Sequence, residues 1–168
     1  ITKWASKLSM EKRPIIAINW QGNPKAEKEE LFGRSLALER FDRLARNKQI
    51  SFLSLQKGFG SEQLEICSFK DRFVSCQNQI NETMDFPETA AIIECCDLVI
   101  TSDTAVAHLS GGMGKPTWLL LHHIPEWRWG LEGDSSFWYP SMRLFRQRNQ
   151  GDWEDVMKRV GKELDIYF

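Results

Sequence analysis

No stretch of this sequence is apolar for long enough to cross a membrane. The longest runs, such as Trp118-Leu119-Leu120-Leu121, fall far short of the roughly 20 residues that a spanning helix needs. A charge excess is also missing. With 22 basic and 23 acidic side chains the formal net charge is −1, so the basic footprint used to bind nucleic acid or an anionic membrane is absent globally. The four cysteines, at 67, 76, 95 and 96, include no C-x-x-C pair, and no histidine stands at zinc-ligand spacing from any of them. They read as buried reduced thiols. No G-x-G-x-x-G follows the first β-rich run, which removes support for an ordinary dinucleotide-binding dehydrogenase domain. Ile1-Thr2-Lys3-Trp4 does not read as a signal peptide, so a soluble, cytoplasmic chain is expected, and a start without Met suggests a piece of a longer protein.

What is present is alternation. Six β-rich runs stand out: Ile15–Trp20, Ser51–Leu55, Arg72–Ser75, Leu98–Ile100, Thr117–Leu121 and Met142–Phe145. Several are continuously apolar, as strands covered on both faces must be. Between them Leu36, Arg40, Phe41, Leu44 and Ala45 keep helical spacing, as do Phe86, Ala90 and Ile93, and Ala105, Val106 and Leu109. The pattern predicts an α/β fold: a Rossmann-like open parallel sheet of about six strands, ordered 3-2-1-4-5-6, with helices on both faces. An apolar stripe of Trp153, Val156, Met157, Val160 and Leu164 predicts a closing helix docked on the sheet. Residues 1–13 read as a linker from an upstream domain and 14–168 as one domain. Polar Lys25–Arg34 and the stretch His122–Pro140 read as loops.

In open parallel sheets ligands bind beyond the carboxyl ends of the strands. Three segments end strands there: Trp20–Pro24, Gln56–Gly60 and Thr101–Ala105. In the last, Ser102 or Asp103 suits an N-cap, and the free N–H groups of the following helical turn form an anion site. Thr104 and His108, four apart, share a face of that turn. Asp103 suits a cap, a hold on His108 or a sugar-hydroxyl acceptor, and the plainer alternative is a cap beside a packing histidine. The run Gly111-Gly112-Met113-Gly114-Lys115-Pro116 reads as a helix C-terminus, with glycine in the left-handed position. Lys57 is either a phosphate-reaching cation or a solvated turn lysine. Ser35 reads as a helix cap with Arg34 projecting toward the same edge. Trp127, Arg128, Trp129, Phe137, Trp138 and Tyr139 suit base or sugar stacking, a lid, or a surface meeting another domain. Of Trp127 and Trp129, two apart, one is expected in the core and the other exposed.

Together, WQGNP at 20–24, RS at 34–35, SLQKG at 54–58, D-T-A-x-A-H-L at 103–109 with GKP at 114–116, and EWRW…WYPSMRLFRQ at 126–147 resemble a known domain. It is the carboxyl-terminal domain of tetratricopeptide-repeat glycosyltransferase-like proteins, similar to the donor-binding half of the ADP-heptose:lipopolysaccharide heptosyltransferase family. The resemblance runs from about Pro14 to Leu164. It implies one half of a GT-B fold. On it, Ser102, Asp103, Thr104 and His108 fall in the phosphate-contacting segment, with Ala105 where these enzymes usually carry glycine, which narrows the approach to the pyrophosphate. Gly22, Asn23 and Arg34 match the loop and helix start that meet the donor phosphates. Lys57 and Glu62 lie where base or ribose is contacted. The general base is implied to come from the amino-terminal domain, so no catalytic residue is assigned to this chain, and no D-x-D pair is present to hold a metal.

The resulting expectation is the donor-binding domain of a metal-independent inverting glycosyltransferase, incomplete as a catalyst by itself. Its ligand would be an ADP- or UDP-linked sugar, taken as substrate, with no tightly bound cofactor. Its partners would be an upstream domain or tetratricopeptide repeats, without nucleic acid or membrane insertion. The alternative is a non-catalytic docking or scaffold module that keeps the half-fold.

Overall fold

The computed structural model describes residues 2–29 and 33–168. Five strands, β1 (Ile15–Asn19), β2 (Ser51–Ser54), β3 (Leu98–Ser102), β4 (Thr117–Leu121) and β5 (Met142–Arg146), form one sheet in the order β2-β1-β3-β4-β5. Every pairing is parallel. Around it lie α1 (Thr2–Leu8), α2 (Pro24–Glu29), α3 (Asp42–Ala45), α4 (Gln77–Asn81), α5 (Phe86–Glu94), α6 (Ala105–Gly112) and α7 (Trp153–Tyr167). The fold is an α/β, Rossmann-like arrangement, one strand short of six.

Period-two alternation sends the strand residues to two cores. Ile16, Ile18, Phe52, Leu98 and Ile100 pack with Leu38, Phe41 and Leu44 and with the α7 stripe of Trp153, Val156, Met157, Val160 and Leu164. Ile15, Ala17, Leu53 and Val99 face the other way, toward Trp4 and Leu8 of α1, Ile80 of α4, Ile92 and Ile93 of α5 and Val106 of α6. Residues 2–8, inside the stretch read as a linker, are thus a helix packed into this core. Cys67, Cys76 and Cys96 are buried and Cys95 half-buried, all as free thiols, and burial pushes the Cys96 thiol far up.

The missing strand has a physical reason. Of Arg72–Ser75, only Phe73 bridges β2, opposite Phe52, where the Val74 N–H donates to the Phe52 carbonyl at 2.8 Å. Beyond that point the edge of β2 is completed by a side chain. Gln77 Oε1 accepts from the Ser54 N–H at 2.8 Å and its Nε2 donates to the Ser54 carbonyl at 3.1 Å, as a neighbouring peptide group would. The remnant occupies the outer position that the order 3-2-1-4-5-6 gave the third run.

Three local expectations need correction. Lys25–Arg34 is not loop throughout: Pro24 opens α2 and the Asn23 side chain accepts from the Lys25 N–H at 3.0 Å, while Glu30, Leu31 and Phe32 lie outside the described residues. Ser35 caps no helix. The 3₁₀ turn Leu38–Phe41 begins later, its Leu38 N–H taken by Gln63 Oε1 at 2.8 Å. His122–Pro140 contains a 3₁₀ turn at Trp127–Trp129 and is clamped by Arg146, whose guanidinium donates to the carbonyls of Trp129, Gly130, Glu132 and Gly133. The GGMGKP run ends α6 as expected: Gly114 has φ +71°, and the Lys115 N–H returns to the Ser110 carbonyl at 3.0 Å.

Gln77→Leu leaves the buried Ser54 N–H and carbonyl unpaired, so chemical denaturation should show a loss of about 2–4 kcal/mol. A loss under about 0.5 kcal/mol would show that water completes this edge equally well.

Candidate functional site

Sheet order reverses between β1 and β3, since the chain runs from β1 outward to β2 and then returns to β3 on the other side. A cleft of about 500 Å³ opens at the carboxyl ends of these strands. Its walls come from Asn19–Asn23 after β1, Leu55–Phe59 after β2, Thr83–Phe86 before and at the start of α5, and Thr104–Val106 at the start of α6.

A chain of amide groups fixes the cleft floor. Gln56 Oε1 accepts from the backbone N–H groups of Trp20 and Gln21, at 3.2 and 3.0 Å, and its Nε2 donates to the carbonyls of Gln21 and Phe59. That orientation is therefore determined. Asn19 Nδ2 donates to the same Gln56 oxygen at 3.0 Å, which leaves Asn19 Oδ1 to accept from the Thr104 hydroxyl at 2.9 Å. The ends of β1, β2 and β3 are tied through these two side chains.

The capping expectation for Ser102 and Asp103 is overturned. The N-cap of α6 is Thr104, whose hydroxyl donates to Asn19 Oδ1, and no side chain caps the helix. The first-turn N–H groups at Ala105 and Val106 consequently have no side-chain acceptor and border the cleft. Asp103 lies behind them, buried. Burial pushes its carboxyl up, against the Trp129 indole N–H and the charges of His108 and Arg34, which hold it down. That indole N–H falls short of hydrogen-bond geometry. Ser102 is also buried, its hydroxyl without a partner.

Two cations reach the cleft. Arg34 is buried, donates to the Asp103 carbonyl at 2.9 Å and pairs with Glu27 at 3.5 Å. A Cβ on Gly22 would stand 2.4–2.6 Å from the guanidinium, so only glycine lets the β1 loop lie flat on Arg34. Lys57 is neither fully solvated nor free: its ammonium donates to the Ile80 carbonyl, and burial lowers its pKa to about 8. Glu62 lines a separate depression that Lys57 and Gly58 share.

The cleft thus gathers Gly22, Asn23, Arg34, Lys57, Thr104 and Ala105, but His108 is not on its lining. The imidazole is sandwiched one turn further along α6. Trp129 stacks on it at 5.2 Å, and the Tyr139 hydroxyl meets its Nδ1 at 3.0 Å. Tyr139 is seated by Gly111, where a Cβ would come within 2.6 Å of the phenol ring. Trp129 is 4% exposed and Trp127 75%, one inward and one outward as expected, though on a 3₁₀ turn instead of an extended segment. The reading of the sequence missed Asn19 and Gln56, whose signal was a polar residue closing or following an apolar strand. It also missed exposed Phe59, Met84 and Phe86 on the cleft's outer wall.

Residues 42–135 match the family Glycosyltransferase family 9 (heptosyltransferase). The chain belongs to glycosyltransferase family 9. The matched span of this family 9 domain runs from α3 through β4 into the aromatic loop, so it includes the uncapped start of α6. The domain is also similar to Protein FlbA of Caulobacter vibrioides (strain ATCC 19089 / CIP 103742 / CB 15), with 31% identity over 116 residues. That alignment takes in 68% of this chain and 19% of the relative, so the chain spans about a fifth of the length of the curated protein it matches.

Because burial raises the Asp103 pKa, the folded protein holds that proton to higher pH than the unfolded chain does. Its contribution to stability is complete below the ordinary carboxylate pKa of about 3.9 and is lost as pH rises through the folded value. Thermal melts from about pH 4 to about pH 7 should show the native protein losing stability relative to Asp103→Asn. Parallel curves would contradict the assignment.

Proposed function

We propose that this domain binds the nucleotide-sugar donor of a family 9 glycosyltransferase, with the diphosphate at the N-terminus of α6. The observation that carries this reading is the uncapped first turn at Ala105 and Val106, set at the sheet's switch point between Arg34 and Lys57. Unpaired N–H groups and the helix dipole favour an anion there, and two cations add charge that a carboxylate cap would have cancelled. Asn23 and Gly22 bring the β1 loop against the same space. The apolar wall of Phe59, Met84 and Phe86 suits an adenine or uracil face, the two bases taken as candidates. His108, held through Nδ1 by Tyr139, lies one turn beyond this site and is not assigned a contact to the diphosphate.

In a transfer reaction charge accumulates on the departing diphosphate. Donors fixed in advance by the Asn19–Gln56 floor stabilise that charge without reorganising. In this reading metal is not required, the proton acceptor for the incoming hydroxyl comes from an amino-terminal domain, and the partners are that domain or tetratricopeptide repeats. Among the described residues no helix is long and apolar enough to cross a membrane. A cytoplasmic setting follows from the nucleotide-sugar reading. The docking-module alternative has one observation of its own: Trp127, Phe137 and Trp138 are exposed on one loop.

Calorimetric titration with ADP and UDP separates the two. The donor reading expects binding of at least one. It also expects affinity to fall as pH rises through about 8, the pKa at which burial sets Lys57, because the neutral amine no longer attracts phosphate. Lys57→Met should bind about tenfold or more weakly at neutral pH, without that decline. No binding of either nucleotide would favour the docking module.

A further inference from the structure

Lys57 faces two hollows. It lines the cleft at the carboxyl ends of the strands and also the adjoining depression of about 290 Å³ that holds Glu62. Gln56, Gly58 and Met84 border both as well, so the half-buried ammonium stands at the boundary between them. The other charged groups in these walls are Arg34 and Asp85 in the cleft and Glu62 and Glu65 in the depression. Most are engaged elsewhere: Arg34 with Glu27 and the Asp103 carbonyl, Asp85 with the Glu88 N–H at 2.7 Å, and Glu65 with Lys70. Among the described residues no carboxylate forms an ion pair with Lys57.

The contact that holds the side chain is one the fold does not require. Lys57 donates to the Ile80 carbonyl, which also accepts from the Thr83 N–H at 3.1 Å and from the Thr83 hydroxyl at 2.8 Å. That carbonyl stays satisfied when Lys57 leaves it. A lysine is a nucleophile only as the neutral amine, and burial is what produces that form near neutral pH. With the Lys57 pKa lowered to about 8, roughly half of the chains carry the free amine at pH 8, against on the order of one in 250 for an exposed lysine of pKa about 10.4. The amine donates one N–H to Ile80 and keeps its lone pair for an electrophile. The same cleft defines what that electrophile is attached to, because Arg34 and the open N–H groups of α6 favour a phosphate.

We propose that Lys57 is a modification site, acylated by a small acyl phosphate bound in this cleft, and that acylation turns donor binding down. The Nζ lone pair forms a bond to the carbonyl carbon, and the bond from that carbon to the phosphate oxygen breaks with its electrons going to oxygen. Inorganic phosphate departs, and the surplus proton of the amine passes to water. The product amide keeps one N–H for the Ile80 carbonyl, and the depression beside Met84 has room for an acetyl group. It carries no charge, so Arg34 alone remains as a cation on the cleft lining. The inference rests on the donor reading for the phosphate site and for the effect of losing the charge.

The test treats the chain with acetyl phosphate from about pH 7 to about pH 9 and follows each lysine by peptide mass spectrometry, with the exposed Lys158 and Lys162 of α7 as internal references. Near pH 8 Lys57 should acetylate at least about tenfold faster than either. Inorganic phosphate, which occupies the anion site and supplies no acyl group, should slow Lys57 and leave the references unchanged. The acetylated chain and Lys57→Gln should melt at the wild-type temperature and bind ADP or UDP, whichever the unmodified chain binds, about tenfold more weakly. Lys57→Arg treated in the same way should keep its nucleotide affinity, which excludes acetylation elsewhere as the cause. Acetylation of Lys57 no faster than of Lys158 and Lys162, or a Lys57 rate indifferent to inorganic phosphate, would overturn the site. Complete acetylation with nucleotide affinity unchanged would overturn the regulation. If the unmodified chain binds neither nucleotide the donor reading fails, and the labelling rates still decide the modification.

Discussion

The side-chain amide of Asn19 is the constraint on which the rest of the site depends. It closes an otherwise apolar strand, is buried, and spends its nitrogen on Gln56 and its oxygen on Thr104. Three strand ends that would each leave loose polar backbone at the sheet edge are thereby joined. The same bond turns the Thr104 hydroxyl toward β1, no side chain caps α6, and the first-turn N–H groups stay open to the cleft. A bond at the end of β1 thus orients the residue that opens the helix after β3, at the turn where we propose that the diphosphate binds.

The cations are placed by the same economy of backbone groups. Arg34 lies flat beneath a glycine that no other residue could replace without displacing the guanidinium, and it is anchored on the carbonyl of Asp103. Lys57 is anchored on the carbonyl of Ile80. Both are drawn inward from the flexible positions that long basic side chains take on surfaces, and burial makes Lys57 sensitive to pH near neutrality. Charge held in fixed places, away from bulk water, is what stabilises a departing diphosphate.

Much of this was legible in the sequence because periodicity reports burial directly. The apolar runs gave the parallel sheet, the stripe from Trp153 to Leu164 gave α7, and the glycines of GGMGKP gave the end of α6. The parts that were not legible are those in which a side chain replaces backbone. Gln77 stands in for an edge strand at Ser54, Gln63 stands in for a helix cap at Leu38, and Asn19 holds the hydroxyl of Thr104, the residue that opens α6 in place of Ser102 or Asp103. Such contacts join residues far apart in the chain, and neither propensity nor spacing encodes them. His108 shows the same limit. Its four-residue spacing from Thr104 predicts one shared helical face, but Thr104 is the extended residue before α6, and Trp129 and Tyr139, from a loop beyond β4, decide what the ring touches.

The most direct test of the account is to follow backbone amide resonances while ADP and UDP are titrated into the protein. The largest downfield shifts should fall on Ala105 and Val106, with Gly22 and Asn23 next, because a phosphate oxygen accepting from the first turn of α6 deshields those protons. Shifts confined to the aromatic loop or to the start of α7, with Ala105 and Val106 unmoved at saturating nucleotide, would contradict it.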